Sequence, residues 1–186
     1  MEAFVVSTAV VAVAEIGDKT QLLALVLACR FRKPLPILLG MLGATLANHA
    51  AAAFAGTWIT QAIDPGVMRW LLGASFLAVA AWALIPDKLE TEPKFSKLAG
   101  PFLTTLVAFF LVEIGDKTQI ATVGLAIRFE ALLAVVAGTT TGMMIANVPV
   151  IYFGEALARQ IPLRIIRFCA ATAFAVLGVS VLIAWP

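Results

Sequence analysis

The sequence predicts an all-α integral membrane protein whose six transmembrane helices form two inverted-topology repeats of three helices each. Three observations carry that expectation. Of the residues, 62% are hydrophobic and only 13% charged. Six apolar stretches long enough to cross a bilayer are separated by proline and charge. One polar phrase occurs twice, as Glu15-Ile16-Gly17-Asp18-Lys19-Thr20 and as Glu113-Ile114-Gly115-Asp116-Lys117-Thr118, each followed by Gln and each set inside an apolar stretch.

A soluble domain carries about 25% charged residues, so this composition belongs to a chain that meets lipid. The net charge of +2 is too small, and its lysines and arginines too dispersed, to suggest a nucleic-acid partner. Met1-Glu2-Ala3-Phe4 has no basic start, and the first apolar stretch carries Glu15, Asp18 and Lys19 in its middle. A cleavable signal peptide is therefore not expected. Cys29 and Cys169 are too few for a thiolate metal site or a disulfide framework and read as small hydrophobes in packed helices.

A membrane helix needs about 20 mainly apolar residues, and the stretches 3–29, 35–60, 67–86, 101–128, 131–156 and 165–185 qualify. Between them lie Arg30-Phe31-Arg32-Lys33-Pro34, Asp64-Pro65-Gly66, Pro86-Asp87, Arg128-Phe129-Glu130 and Arg159-Gln160-Ile161-Pro162. Proline and charge both end helices at a membrane surface. Glu155, four residues before Arg159, reads as one member of a surface ion pair. The polar run from Asp87 to Gly100, with Lys88, Glu90, Glu92, Lys94 and Lys97, reads as a cytoplasmic linker between a first three-helix repeat, 1–86, and a second, 101–186.

The halves repeat at an offset of 98: Glu15 to Gln21 falls on Glu113 to Gln119, Arg30-Phe31 on Arg128-Phe129, Gly40 on Gly138, Arg69 on Arg167 and Phe76 on Phe174. One inserted residue shifts the offset to 99 across the second helix, where Gly43 and Asn48 meet Gly142 and Asn147. An odd number of helices per repeat makes the second copy cross the membrane in the opposite sense, a construction recurrent in secondary transporters. One side receives Arg30, Arg32, Lys33, Lys88, Lys94, Lys97, Arg159, Arg164 and Arg167; the other receives only Arg69 and Arg128. The positive-inside rule puts the richer side in the cytoplasm and both termini outside the cell (inner) membrane. Trp58, Trp70 and Trp185 then fall near the outer interface and Trp82 near the inner one.

Both phrases sit at the centre of their stretch, hence at the expected midplane. On a continuous helix Glu15, Asp18 and Lys19 share one face, as do Glu113, Asp116 and Lys117. Gly17 and Gly115 allow either close helix approach, the commoner role of a membrane glycine, or a local break that frees backbone carbonyls. If the two faces meet, four carboxylates and two ammonium groups leave two negative charges over, which a divalent cation or two protons would neutralise. Oxygen donors suit hard cations such as Ca²⁺, Mn²⁺ or Mg²⁺; the lack of nearby cysteine and of a histidine cluster speaks against zinc and copper. Glu15, Asp18, Glu113 and Asp116 are thus the candidate metal ligands, and Lys19 and Lys117 the counter-charges.

Gln21, Gln119, Asn48, Asn147, Thr20 and Thr118 are candidate supporting ligands at the same depth. Thr45, Thr140 and Thr141 read more simply as hydrogen-bonding glue between helices, worth about 0.6 kcal/mol apiece. The carboxylates also admit a plain reading, as ion pairs of Glu15 with Lys19 and Glu113 with Lys117 within one helix. Buried pairs often fail to recover their desolvation cost, however, and charge inside a membrane defaults to function. His49 has Val148 where a counterpart would stand, and reads as a hydrogen-bonded or cavity-lining side chain rather than a ligand.

Two copies of Glu-x-Gly-Asp-Lys-Thr in a small six-helix chain with inverted halves resemble the calcium/cation antiporter-2 family, which includes bacterial manganese exporters of the MneA type and the Golgi manganese and calcium transporters of eukaryotes. The resemblance spans the whole chain. It implies export of Mn²⁺, with Ca²⁺ as a second candidate, in exchange for protons, with Glu15, Asp18, Glu113 and Asp116 forming the ion site. The metal would be cargo, so no cofactor is expected; the partners would be a divalent cation, protons and the bilayer, with homo-oligomerisation left open. An intramembrane enzyme is the rival from another class, but nucleophile motif, HExxH pair and phosphate-binding glycine loop are all missing from the sequence. A passive cation channel and an exporter of another solute, such as a cationic amino acid, are the remaining alternatives.

Overall fold

A computed structural model describes residues 1–86, 100–154 and 163–184. Eight α-helices and no strand occur among the described residues: α1 (Glu2–Glu15), α2 (Lys19–Phe31), α3 (Pro34–Ala62), α4 (Pro65–Ala83), α5 (Pro101–Glu113), α6 (Lys117–Phe129), α7 (Leu132–Phe153) and α8 (Leu163–Ile183). The expected linker, Glu155, Arg159 and Trp185 lie outside the described residues.

Local chemistry sets the helix ends. Pro34, Pro65 and Pro101 stand in the first helical turn, where a missing N–H costs nothing. The Asp64 carboxylate accepts the Gly66 N–H at 2.9 Å and caps α4. α2 and α6 both end on a left-handed residue, Arg32 (φ 51°) and Glu130 (φ 50°), whose N–H groups donate to the carbonyls of Ala28 and Ala126.

Helices α3, α4, α7 and α8 are each long and apolar enough to span a membrane. They correspond to the second, third, fifth and sixth stretches expected. The first and fourth stretches are not single helices: each is cut in two at its repeated phrase, giving α1 with α2 and α5 with α6. None of these four pieces, of 13 or 14 residues, spans about 30 Å of hydrocarbon alone.

Glycines let the broken helices nest against the long ones. A Cβ added at Gly40 of α3 would lie 2.5 Å from the Phe102 carbonyl oxygen of α5. One added at Gly138 of α7 would lie 2.6 Å from the Phe4 carbonyl oxygen of α1, and one at Gly142 equally close to that of Thr8. The same contact thus appears twice with the halves exchanged, α3 on α5 and α7 on α1. Close backbone approach of this kind is how helices associate where lipid supplies no hydrophobic drive. α4 and α8 meet through Gly73 and Gly178.

Polarity is distributed inside out. Trp58, Trp70, Leu111, Leu133 and Ile183 are exposed, whereas Glu15, Asp18, Glu113 and Asp116 have no exposed surface. A soluble protein does the reverse; a hydrocarbon-facing bundle requires this. Cys29 and Cys169 correct an expectation: both thiols lie exposed on the bundle surface rather than packed between helices. A surface that faces lipid accepts a small apolar side chain as readily as a core does, so apolar neighbours in sequence did not separate the two.

Candidate cation site

The break has a defined construction. Ile16 and Ile114 turn to extended backbone, with ψ of 116° and 124°. Gly17 and Gly115 follow at φ +81° and +74°, a conformation that costs other residues about 1–2 kcal/mol. Asp18 and Asp116 then serve as the N-cap residues of α2 and α6. Their N–H groups donate to the carbonyls of Glu15 and Glu113, both at 3.1 Å. Breaking a helix leaves N–H groups without partners, and the glutamines supply one: Gln21 Oε1 accepts the Gly17 N–H at 2.8 Å, and Gln119 Oε1 the Gly115 N–H at 2.7 Å. Gln21 also donates from Nε2 to the Ala146 carbonyl of α7 at 2.9 Å.

Because the helix stops, Glu15, Asp18 and Lys19 do not share a continuous helical face, and both lysines reach across to the other half. Lys117 Nζ lies 2.9 Å from Asp18 Oδ1, and Lys19 Nζ lies 3.0 Å from Asp116 Oδ1. Each lysine crosses to the other half. One carboxylate oxygen each from Glu15, Asp18 and Asp116 come within 4.8 Å of one another, all three residues buried. The Thr20 hydroxyl donates to Glu15 Oε2, and that of Thr118 to Asp116 Oδ2 at 3.2 Å. Glu15 Oε1 accepts no hydrogen bond.

Glu113 stands outside this triplet. Its Oε1 lies 3.0 Å from His49 Nε2, and its Oε2 accepts from Asn48 Nδ2 at 3.2 Å. Asn48 also donates to the Phe110 carbonyl at 3.1 Å. Asn147 instead donates to the Met143 carbonyl and sulfur of its own helix, at 3.0 and 3.1 Å, leaving its buried Oδ1 without a hydrogen bond. Thr45 and Thr140 are buried with hydroxyls that make no hydrogen bond, while Thr141 donates to the Ala137 carbonyl of its own helix. The contributions of the Ala146 and Phe110 carbonyls carry no side-chain signature in the sequence.

The donor set suits a hard cation. Three convergent buried carboxylates need compensating positive charge or protons; two ammonium groups stand beside them, and a hard cation could supply the rest. The C-terminal ends of α1 and α5 and the N-terminal ends of α2 and α6 adjoin at the two phrases, so helix-dipole ends of both signs lie beside the carboxylates. Broken helices meeting at an ion are the recurrent device of secondary transporters.

The sequence profile of the divalent cation/proton antiporter GDT1 family matches residues 3–91 and 101–185. The chain belongs to this family. It is similar to a Vibrio cholerae protein named "Putative manganese exporter", with 48% identity over 181 residues covering 97% of this chain and 90% of the relative. It is similar also to GDT1-like protein 5 of Arabidopsis thaliana, with 31% identity over 98% of this chain and 96% of the relative, and to GDT1-like protein 4 of the same plant, with 30% identity over 97% and 95%. No solved structure matches. As a GDT1-family member the chain is a multi-pass membrane protein of cation transport rather than an enzyme.

Proposed function

We propose that this GDT1-family protein exports Mn²⁺, with Ca²⁺ as a second cargo, in exchange for protons, and that Glu15, Asp18 and Asp116 bind the cation, with Glu113 as a fourth acidic residue beside them. The observation that carries the reading is the triplet of buried carboxylates within 4.8 Å, crossed by Lys19 and Lys117. Such oxygens hold either a divalent cation or protons but not both well, and that competition is the thermodynamic basis of exchange. Membership of a family named for divalent cation/proton antiport, and likeness to a protein named for manganese export, support the choice of cargo.

In this reading α1 with α2 and α5 with α6 each complete one crossing, giving six crossings in two inverted repeats, 1–86 and 101–186, joined by a cytoplasmic linker. Both termini lie outside the cell membrane, following the lysine and arginine asymmetry. The site loads from the cytoplasm as protons leave, the halves rock, and protonation outside releases the metal. Gln21 and Gln119 hold the breaks open, and Thr20 and Thr118 orient the carboxylates.

Reconstitution tests this. In proteoliposomes with an imposed pH gradient, wild type moves Mn²⁺ against its own gradient, and Glu15→Gln and Asp116→Asn do not. Mn²⁺ flux indifferent to the pH gradient would make the protein a channel, and wild-type flux in either variant would remove the site.

A further inference from the structure

The two glutamates of the repeated phrase have different neighbours. Both oxygens of Glu113 face α3: Oε2 accepts a hydrogen bond from Asn48 at 3.2 Å, and Oε1 lies at ion-pair distance, 3.0 Å, from His49 Nε2 without a hydrogen bond. Glu15 is held only through Oε2, by Thr20 of its own phrase. The corresponding positions of α7 explain the difference. Asn147 turns back onto its own helix at Met143, and Val148 packs with the apolar cluster around Leu23, Leu27 and Met41. Two differences at this depth bear on the glutamates: Met143, which takes the Asn147 amide, stands where the first half has Ala44, and Val148 stands where it has His49, which faces a carboxylate as a valine cannot. His49 is completely buried, its Nε2 stands at ion-pair distance from Glu113, and neither ring nitrogen makes a hydrogen bond.

We propose that His49, with Asn48, is a positioning residue that withholds Glu113 from the cation site, so that the cation is held by Glu15, Asp18 and Asp116. The proposal rests on the reading of that triplet as the cation site. Its consequence is a weaker site than four converging carboxylates would make. Affinity for a hard cation is tuned by the number of charged ligands, and a transport site must bind weakly enough to release. Two identical phrases would otherwise build a symmetric trap; the histidine makes the site asymmetric.

The test measures Mn²⁺ binding to purified protein in detergent, by the electron paramagnetic resonance signal of free Mn²⁺, together with Mn²⁺ flux in proteoliposomes. His49→Val, which copies the second half onto the first, frees one Glu113 oxygen. It is expected to tighten Mn²⁺ binding about tenfold, with a lower KM and a lower maximal flux. His49→Gln restores a donor towards Glu113 and returns both quantities towards wild type. In a Glu113→Gln background, His49→Val changes affinity by less than about twofold, because the group it releases is gone. If His49→Val does not fold, Asn48→Ala frees the other Glu113 oxygen and carries the same expectation. Unchanged or weaker binding in a folded His49→Val protein overturns the proposal, as does tightening that persists without Glu113. Glu15→Gln separates the two readings: if it too binds Mn²⁺ like wild type, the cation site itself is misplaced, whereas loss there with no effect at His49 removes only the positioning role.

Discussion

Lys117 reaches Asp18 at 2.9 Å, and Lys19 reaches Asp116 at 3.0 Å, so each half neutralises the carboxylate of the other. The pairs differ in depth: the Lys117 side chain is 5% exposed and that of Lys19 25%. Removing one partner of a buried pair strands a charge, at a cost of about 3 kcal/mol or more, while water screens the shallower pair. Lys117→Met is expected to lower the Tm in detergent by more than Lys19→Met. Adding Asp18→Asn to Lys117→Met should recover part of that loss while Mn²⁺ flux stays absent. Equal melting of the two single variants would contradict the depth argument.

Gly17 and Gly115 give a second prediction. Both have positive φ, so Gly→Ala at either site forces strain of about 1–2 kcal/mol. The two differ in surroundings: a Cβ at Gly17 would meet Leu163 Cδ2 at 2.5 Å, whereas one at Gly115 meets nothing within 4 Å. Gly115→Ala therefore reports backbone strain alone, and Gly17→Ala adds displacement of the Leu163 side chain. Thermal unfolding is expected to rank Gly17→Ala at or below Gly115→Ala, with both below wild type. If the alanine variants match wild type, the break is not a fixed feature of the fold.

The long helices were legible because their punctuation is chemical. Pro34, Pro65 and the Arg128-Phe129-Glu130 run mark ends that the structure places within one or two residues. The breaks were not legible from hydrophobic pattern, since Ile16 and Ile114 keep the apolar run going and glycine serves packing and unwinding equally. A signal was nevertheless present: Asp18 and Asp116 are N-cap residue types, and reading them as helix starts would have split both stretches. The exchange of lysine partners had no local signal. From spacing alone Lys19 belongs with Glu15, and only tertiary approach of α2 to α5 brings it to Asp116. His49 reads in sequence as a hydrogen-bonded or cavity-lining side chain; that it faces Glu113 depends on how α3 meets the end of α5.

A third prediction concerns the glutamines. Each accepts the N–H of the glycine at the break, half-buried at Gly17 and exposed at Gly115, and an N–H left unpaired away from water costs about 1–3 kcal/mol. Gln21 in addition donates to the Ala146 carbonyl, so it ties the break in the first phrase to α7. Gln21→Leu should therefore destabilise more than Gln119→Leu. Hydrogen exchange is expected to show faster exchange at Gly17 in the first variant and at Gly115 in the second. Unchanged protection at both glycines would mean that the amides are satisfied elsewhere.

The last prediction concerns protons. Carboxylates ligate a metal only when ionised, so under the proposed function protons and Mn²⁺ compete for Glu15, Asp18 and Asp116. The sign follows directly: raising the pH empties protons from these oxygens and tightens Mn²⁺ binding, and lowering it releases the metal. Calorimetric titration of the detergent-solubilised protein with Mn²⁺, repeated in buffers of different ionisation enthalpy, counts the protons released per metal bound. Exchange requires that count to exceed zero and the affinity to fall with acidity over the same range in which flux does. Replacing Asp116 with Asn removes one competing carboxylate and should weaken binding and lower the proton count together. Tight Mn²⁺ binding that releases no protons would leave a cation site with no coupling to the gradient, and antiport through these carboxylates would fail.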